Sequence, residues 1–451
     1  MKTRLLITVL WITSFTSCST AHLHDQASYR IQSGNDLTLL MLTDIHYLSK
    51  ELTGNGPAYD HLLTNGDGKL VKYSNEMMQA FTFESGMKHP SAVIIGGDLT
   101  NNGEKQSHLD LARHLKALEK NTGAQVYVIP GNHDLLNPWA RQYKGTHPHY
   151  ADAINAKQFR TIYKSFGYAE AVLKDEDTLS YLAAPSEELW LLMLDTSQYH
   201  NNKLLGRPQL GGRIPPSTLK WIETCSSLAA QNGAHLIAVM HHSLLDHNEL
   251  LKEGFTVDDN KYVIDTLLRN GITIAFSGHI HMQDIQLQQH NSKPIYDVAS
   301  SALSVYPHQY GILSYAPANR TLDYKITKLN MELWSKSTGL TNPELLHFNH
   351  YSRSILGLQS ANRSLAQLKK DHLFSGYTSS QLQVMAEFIG QLNQAYFSGF
   401  KGKVEKANLM STYGYKLWLT APACALKDYV LELTRQDGNQ MQQLHLQLPE
   451  K

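Results

Sequence analysis

The sequence predicts an α/β protein with a mostly helical C-terminal part, and three observations lead to this class. Short apolar runs rich in Val, Ile or Leu recur through the first two-thirds of the chain: 36-DLTLLMLTD-44, 91-SAVIIGGD-98, 124-AQVYVIP-130, 189-LWLLMLD-195, 235-HLIAVMH-241 and 272-ITIAFSG-278. Amphipathic segments separate these runs, and apolar residues recur at helical spacing from Ser379 onward. Strands buried on both faces that alternate with helices are typical of layered α/β proteins.

Helices are predicted over residues 104–121, 217–231 and 260–270, between the strand-like runs. Each of these segments is followed by a glycine or by a turn that contains one, which is where a helix commonly ends. In the first segment, the apolar residues lie three and four positions apart, as on the buried face of a helix. The sequence therefore predicts helices packed against a sheet.

Beyond residue 294 the predicted strands follow one another closely, over 294–307, 310–317 and 321–334. We expect them to pair as a meander that closes a second sheet. The expected domains are an α/β domain over 36–334 and a mostly helical domain over 335–451. The longest helical stripe of the second domain is expected to pack in a core rather than to line a groove. The residues of that stripe are Leu382, Met385, Ile389, Leu392 and Tyr396.

The composition limits the classes of partner. The chain of 451 residues has 40 Lys and Arg residues and 40 Asp and Glu residues, so its formal net charge is zero. No global field attracts the protein to nucleic-acid polymers or anionic lipids. Histidine is abundant, with 23 residues, and many of them lie beside Asp, Asn or Gly near the ends of apolar runs. This distribution favours a metal site.

The N-terminus has the order of a secretory signal over residues 1–21: basic residues, the apolar run 5-LLITVLWI-12 and a small polar stretch. Phe15-Thr16-Ser17-Cys18 resembles a bacterial lipobox, in which Cys18 would be lipidated and become the mature N-terminus. Ordinary cleavage near Ala21, or an incidental cysteine in a discarded peptide, are the alternatives. We expect a protein secreted or lipid-anchored at the outer face of the bacterial cell membrane.

Two cysteines, Cys225 and Cys424, remain after such processing. They are too few for a disulfide framework in a chain of this size. The sequence does not place them near each other, and we expect both to be buried free thiols rather than a pair.

Polar clusters follow five of the strand-like runs, and this feature points to chemistry. The clusters are 43-TDIH-46, 96-GGDLTNNGE-104, 131-GNHD-134, 240-MHHS-243 and 278-GHIH-281. In open α/β sheets, ligands gather beyond the carboxyl ends of the strands. Imidazole and carboxylate groups in that position are suitable ligands for a transition metal. The sequence therefore predicts a metal site there.

In this order the clusters resemble those of the calcineurin-like metallophosphoesterases, from residue 36 to about residue 330. The resemblance implies a four-layer fold in which two sheets are flanked by helices, with two divalent metal ions. Manganese or iron is expected, and zinc suits the same ligands. The ligands implied for one ion are Asp44, His46, Asp98 and His281. Those implied for the other ion are Asp98, Asn132, His241 and His279.

The same resemblance implies in-line attack by a metal-bridging hydroxide on a phosphoester. His133 would protonate the leaving group, or alternatively would only orient Asp134 or the metal ligands. His242 is expected to support the site rather than bind metal. Asn102 and His308 are candidates for the wall of the substrate pocket, with a purely structural role as the alternative for each.

A closer resemblance, to class III cyclic-nucleotide phosphodiesterases and within them to the secreted enzymes of Gram-positive bacteria, covers nearly the whole chain. It rests on 43-TDIHYLS-49, 97-GDLTNNGEK-105, 131-GNHDLLNPWAR-141, 302-ALSVYPHQYG-311 and 425-ALKDYV-430, and on a C-terminal helical domain. It implies a small-molecule phosphodiester substrate, a 2′,3′- or 3′,5′-cyclic nucleotide. The alternatives are a phosphomonoesterase, a nucleotidase or another phosphodiesterase at the same site, or a binding protein without activity. The oligomeric state is not predicted.

Overall fold

The structure is a computed structural model that describes residues 30–397, 403–435 and 442–450. The predicted signal segment 1–21, with Cys18, lies outside the described residues. Among the residues described, no helix combines the length and the apolar character that crossing a bilayer requires.

The strands and helices alternate along the chain. The strands are β1 Leu37–Leu42, β2 Ala92–Gly96, β3 Gln125–Ile129, β4 Arg141–Gln142, β5 His149–Tyr150, β6 Leu173–Lys174, β7 Tyr181–Ala183, β8 Leu189–Leu194, β9 His235–Met240, β10 Ile274–Ser277, β11 Asp284–His290, β12 Lys293–Ala299, β13 Gln309–Ala316, β14 Thr321–Lys328 and β15 Gln443–Gln447. The α-helices are α1 Pro57–Asn65, α2 Ser74–Lys88, α3 Lys105–Thr122, α4 Ala156–Ile162, α5 Asn202–Leu205, α6 Pro216–Gln231, α7 Asn260–Arg269, α8 Met331–Ser337, α9 Pro343–Leu346, α10 Phe348–Lys370, α11 Ser379–Phe397, α12 Lys403–Met410, α13 Tyr413–Thr420 and α14 Ala425–Arg435.

Two mixed sheets form the centre of the α/β part. A six-stranded sheet has the order β15-β14-β13-β1-β2-β3, and a seven-stranded sheet has the order β11-β12-β10-β9-β8-β7-β6. Strands β1, β2 and β3 are parallel, as are β8, β9, β10 and β12. The outer strands pair antiparallel. The parallel strands of each sheet therefore end at a common edge.

The sheets lie face to face between two layers of helices. In β8, Leu189, Leu191 and Met193 face a core shared with the first sheet, while Trp190 and Leu192 face a second core that is covered by α6 and α7. Helices α2 and α3 pack against the first sheet. Side chains of a strand alternate between its two faces, and this alternation produces the layers. The predicted four-layer α/β fold is confirmed.

The prediction that the runs 294–307, 310–317 and 321–334 pair with one another in a second sheet is wrong. The run 294–307 forms a strand only as far as Ala299, and this strand pairs parallel with β10 in the second sheet. Strands β13 and β14 belong instead to the first sheet, where β13 pairs with β1. The hairpin partner of β12, strand β11, was not predicted because most of its residues are polar.

The run 321–334 is also not a single strand. It ends at Lys328, and α8 begins at Met331. The side chain of Asn330 accepts a hydrogen bond from the Leu333 amide at 3.0 Å, which caps the new helix. The strand prediction failed here because the Asn330 cap starts a helix within an apolar run.

The C-terminal part is mostly helical, as predicted, but it is not separate from the sheets. The stripe on α11 lies in a hydrophobic core together with α13, α14 and three buried residues of the α/β part, Ile280, Met282 and Ala299. The last strand, β15, returns to pair with β14 at the edge of the first sheet. Cys225 is buried and Cys424 is half-buried, and both are free thiols.

Candidate metal centre

The residues predicted to bind metal lie in the loops that follow five parallel strands. Asp44 and His46 follow β1, Asp98 follows β2, and Asn132 follows β3. From the second sheet, His241 follows β9, and His279 and His281 follow β10. The carboxyl ends of both sheets therefore meet in one place. The structure brings all seven of these side chains together.

The first group of ligand atoms comes from Asp44, His46, Asp98 and His281, which each offer one atom within 4.8 Å of the others. Asp44 Oδ1 lies 3.2 Å from His281 Nε2, and Asp98 Oδ2 lies 3.5 Å from His46 Nε2. Asp44 and His46 are fully buried, while the side chain of His281 is 20% exposed. This group can hold one ion and leaves an approach from solvent beside His281.

The second group comes from Asp98, His241 and His279, and it meets the same 4.8 Å criterion. The amide oxygen of Asn132 lies 3.2 Å from His241 Nε2 and adds a neutral oxygen to the group. Asp98 Oδ1 lies 3.4 Å from His241 Nε2. Because Asp98 takes part in both groups with different oxygens, it is placed to bridge two ions.

In His241 and His279, a hydrogen bond to a backbone carbonyl determines which ring nitrogen is left available to bind a metal ion. His241 Nδ1 donates to the Gly96 carbonyl at 2.9 Å, so Nε2 faces the site. His279 has the opposite arrangement, since its Nε2 donates to the Gly254 carbonyl at 2.9 Å and leaves Nδ1 available. Such hydrogen bonds set the tautomer and orientation of metal-binding histidines.

An unpartnered buried atom tests whether the pocket fits metal ions. Asp44 Oδ1 is buried and makes no hydrogen bond to the described part of the protein, although His281 Nε2 lies 3.2 Å away. A buried carboxylate oxygen without a partner is costly unless a cation lies beside it. Two carboxylates surrounded by four imidazoles are a donor set typical of Mn, Fe or Zn. The residues present therefore fit a dinuclear centre, and their chemistry does not select one metal.

The protonation states agree with this fit. Burial, followed by the charge of His241, lowers the pKa of His279 to about 3, so this imidazole is neutral as a ligand must be. Burial opposes ionisation of Asp98, yet facing imidazoles, His241 above all, hold the pKa of Asp98 well below its usual value. Burial alone would lower the pKa of His241, but the Asp98 carboxylate raises it to about 9. A proton on His241 balances the charge of Asp98, and this proton must leave before the ring can bind a metal ion.

Five of these seven residues have a positive φ angle, which residues other than glycine rarely adopt. The φ angles are 52° for Asp44, 44° for His46, 48° for Asp98, 66° for His279 and 61° for His281. Positive φ in such residues costs energy and is concentrated at functional sites. The strand ends turn sharply here, and this turn brings consecutive side chains to the same place.

Two glycines permit the close approach of these loops. A Cβ atom on Gly131 would overlap the backbone and the carboxylate of Asp98. A Cβ atom on Gly278 would overlap Thr43 Oγ1 and come within 2.6 Å of Asp44 Oδ2. The glycines that precede Asn132 and His279 are therefore required by packing.

His133 lies at the edge of the first group. Its ring stands edge-on to the ring of His46 with 5.0 Å between the centroids, and its amide donates to Asp98 Oδ1 at 2.9 Å. Its Nδ1 lies 2.9 Å from the Asn101 carbonyl and 3.0 Å from Asn102 Oδ1. A carbonyl accepts only, so Nδ1 carries the proton, and Nε2 is directed away from these partners. Asn102 thus reaches the site through His133.

Burial and then the charge of Lys69 lower the pKa of His133 to about 4. The ring is therefore neutral near pH 7 in the absence of other charges. Donation from Nε2 requires a second proton on the ring, which a bound anion would favour.

His308 and His242 make their hydrogen bonds outside the two groups of ligand atoms. The structure does not place His308 at the centre: its Nδ1 faces the Leu303 carbonyl at 2.8 Å, its ring packs on Phe348, and it lines a separate cavity of about 250 Å³. His242 uses both nitrogens within the protein, toward Thr196 Oγ1 at 2.8 Å and the Leu210 carbonyl at 3.0 Å, as expected of a supporting residue.

Supporting residues were partly missed from the sequence. Asp134 accepts hydrogen bonds from the amides of Leu99, Thr100 and Gly131 at 2.8–3.0 Å, and thereby joins the loops after β2 and β3. Its place in the GNHD motif was the available signal. The loop with Gly254 and Phe255, which contacts the ring of His279, has no such signal.

The comparisons with known proteins agree with this geometry. Residues 37–283 match the family model described as calcineurin-like phosphoesterase, and residues 330–439 match the model described as the C-terminal domain of cyclic nucleotide phosphodiesterase. No curated protein sequence matches the chain significantly.

Solved structures match the chain at low identity. A dimetal phosphatase from Danio rerio is 14% identical, with a TM-score of 0.45, over 65% of this chain and 96% of that protein. GAP50, described as the anchor in the inner membrane complex of Plasmodium, is 10% identical, with a TM-score of 0.35, over 65% of this chain and 84% of that protein. Likeness at this level carries no argument about activity.

Proposed function

Because the chain belongs to the calcineurin-like phosphoesterase family, we propose that this metal-dependent phosphoesterase hydrolyses cyclic nucleotides, of the 2′,3′ or the 3′,5′ type, to nucleoside monophosphates. The observation that carries the proposal is the match of residues 330–439 to a domain of cyclic nucleotide phosphodiesterase. The packing of this region against Ile280 and Met282, beside two predicted ligands, supports it.

In this proposal Asp44, His46, Asp98 and His281 hold one divalent ion. Asp98, Asn132, His241 and His279 hold the other, with Asp98 shared. When bound, the ions lower the pKa of a shared water and neutralise charge on the phosphoryl oxygens. The protein residues fix the separation of the two positions, because Asp98 presents one oxygen to each group.

His133 supplies the proton for the leaving group in this proposal. Hydrolysis forms a bond from the oxygen of water to phosphorus and breaks the bond from phosphorus to a ribose oxygen, which must be protonated as it departs. The Asn101 carbonyl holds the Nδ1 proton, so the transferred proton is carried on Nε2. The negative charge of a bound phosphodiester stabilises this doubly protonated ring.

The test reconstitutes metal-stripped protein with Mn and compares four substrates. These are bis(4-nitrophenyl) phosphate, 4-nitrophenyl phosphate, and the 2′,3′- and 3′,5′-isomers of cyclic AMP. We expect preference for the diester and hydrolysis of at least one cyclic isomer. Preference for the monoester with neither isomer hydrolysed would remove this proposal and favour a phosphomonoesterase or nucleotidase. Parallel reconstitution with Fe and Zn identifies the metal that supports the highest kcat/KM.

A further inference from the structure

Asp297 is a buried carboxylate outside the two groups of ligand atoms, and the mechanism above does not use it. It lies in β12, and its side chain is fully buried. A buried carboxylate is costly unless hydrogen bonds and a nearby positive charge compensate it. The groups that Asp297 binds therefore indicate why the fold contains it.

The two oxygens of Asp297 bind the ends of two neighbouring strands. Oδ1 accepts a hydrogen bond at 2.9 Å from the hydroxyl of Ser277, the last residue of β10. Oδ2 accepts from the amides of Leu244 at 2.6 Å and Leu245 at 2.9 Å, in the loop that follows β9. One carboxylate thus joins the end of β10 to the loop after β9.

These two strand ends carry the histidines of the second group of ligand atoms. His241 is the first residue after β9, and His279 follows Ser277 and Gly278 in the turn after β10. The Gly278 amide donates to the His241 carbonyl at 2.9 Å, so the two turns are in direct contact. The centroids of the two imidazole rings are 5.0 Å apart. A shift of either strand end would change this spacing.

The loop after β9 also returns to His279. Near its start, the Ser243 amide donates to the Phe255 carbonyl at 3.0 Å, which closes the loop at its base. The Gly254 carbonyl, beside this closure, accepts from His279 Nε2 at 2.9 Å. By anchoring the start of the loop, Asp297 also holds the carbonyl that orients the His279 ring.

His247 balances the charge of Asp297. Its Nε2 lies 3.1 Å from Asp297 Oδ2, and its Nδ1 lies 2.9 Å from Asp284 Oδ2. Because both ring nitrogens face carboxylate oxygens, both carry protons and the ring is a cation. The Asp297 carboxylate therefore has its partners within the protein before any metal ion binds.

We propose that Asp297 is a positioning residue for the ion of the second group, and that it holds His241 and His279 at the spacing which this ion requires. Ligands held in place beforehand need no rearrangement when the ion binds. Loss of an outer residue that orients the ligands typically costs about 10- to 100-fold in metal affinity. The inference rests on the dinuclear centre of the proposed function and deepens it.

The test measures Mn binding to the metal-stripped full chain by calorimetry. We expect Asp297→Ala to weaken the ion of the second group by about 10- to 100-fold. The first group takes three of its four ligands, Asp44, His46 and Asp98, from loops of the first sheet, so its ion should be affected much less.

Two milder variants separate hydrogen bonding from other effects. Asparagine can accept from the Leu244 and Leu245 amides and donate to Ser277, so Asp297→Asn should retain most of the Mn affinity. Ser277→Ala removes one hydrogen bond and leaves the contacts of the loop intact. It should weaken the same ion by about fivefold, and it decides the question if Asp297→Ala does not fold.

Two comparisons identify the affected ion and exclude general destabilisation. Asp297→Ala should weaken the ion that remains in His46→Ala, but have little effect on the ion that remains in His241→Ala. Asp175→Ala is the matched control, because Asp175 is a buried carboxylate that follows β6 of the same sheet and accepts from the Thr218 hydroxyl at 2.6 Å. It should lower the free energy of unfolding without changing Mn affinity.

Unchanged Mn affinity in Asp297→Ala and Ser277→Ala would overturn the positioning role, and so would equal weakening of both ions. A loss in Asp297→Asn as large as that in Asp297→Ala would also contradict it, because the hydrogen bonds would then not be what Asp297 contributes. Every readout uses Mn alone, so failure to hydrolyse cyclic AMP would remove only the proposed substrate.

Discussion

Asp98 and His241 come from different sheets, and their Oδ1 and Nε2 atoms lie 3.4 Å apart. Asp98 follows β2 of the first sheet, whereas His241 follows β9 of the second. The candidate centre therefore exists only when the two sheets are packed in the observed register. Core packing between the sheets and metal binding should be linked, because ligands that bind only the folded state stabilise it.

The first prediction concerns Gly278, which contacts the loop after β1. We expect Gly278→Ala to lower the free energy of unfolding by about 3 kcal/mol and to weaken metal binding, because the new Cβ would displace Thr43 and Asp44. Urea unfolding and metal titration measure the two effects. Gly86→Ala, in a helix where the new Cβ meets nothing within 4 Å, is the control and should be neutral or stabilising. Full metal affinity in Gly278→Ala would contradict the packing argument.

The second prediction concerns the leaving group. We expect His133→Asn to lower kcat by about 10²- to 10⁴-fold on a diester with a poor alkyl leaving group, and much less on bis(4-nitrophenyl) phosphate. The reason is that an aryl oxide departs without a proton. Metal content should stay at the wild-type level, and His149→Asn at an exposed position should leave kcat unchanged. An equal loss on both substrates would argue against proton donation by His133.

The third prediction concerns pH and a buried ion cluster outside the site. His247 lies between Asp284 Oδ2 at 2.9 Å and Asp297 Oδ2 at 3.1 Å. Burial alone would lower the pKa of His247, but the two carboxylates, Asp297 first, raise it to about 9. Since the folded pKa lies above the unfolded value, the stabilisation is complete below about pH 6.5 and is lost as the pH rises through about 9.

His247→Gln should therefore cost about 3 kcal/mol near pH 6 and progressively less toward pH 10, measured by urea unfolding at each pH. His350→Gln, which changes an exposed histidine, serves as the control. A cost for His247→Gln that does not change with pH would show that protonation of His247 contributes nothing.

The fourth prediction concerns the core shared by the C-terminal helices and the 278-GHIH-281 loop. Met385 is fully buried in the core that contains Ile280 and Met282. We expect Met385→Ala to cost about 2–5 kcal/mol of stability and to accelerate metal loss, because the loop beside His279 and His281 loses support. Leu373→Ala, which alters an exposed leucine of the same region, should do neither. If Met385→Ala lowered stability but left metal retention unchanged, the C-terminal helices would not support the metal-binding loop.

The parallel strands and the convergence of the polar clusters could be predicted from the sequence because both depend on local patterns. Fully buried strands are continuous apolar runs, and the polar clusters that end them meet at one edge by the geometry of a parallel sheet. Positions that depend on tertiary contacts were not predictable. The polar strand β11 is held by its pairing with β12, and the ring of His308 faces the Leu303 carbonyl.

The backbone conformation of the predicted metal-binding residues was also not predicted from the sequence. Nothing in the letters of 43-TDIH-46 indicates that Asp44 and His46 have positive φ, since this strain is maintained by surrounding contacts.

The measurement that tests the account most directly is the metal content per chain of the reconstituted protein and of three variants. The account predicts two ions in the wild type, loss of one in His46→Ala, loss of the other in His241→Ala, and loss of both in Asp98→Ala, since Asp98 serves both groups. Wild-type protein with no bound ion, or Asp98→Ala with both ions retained, would contradict the dinuclear centre.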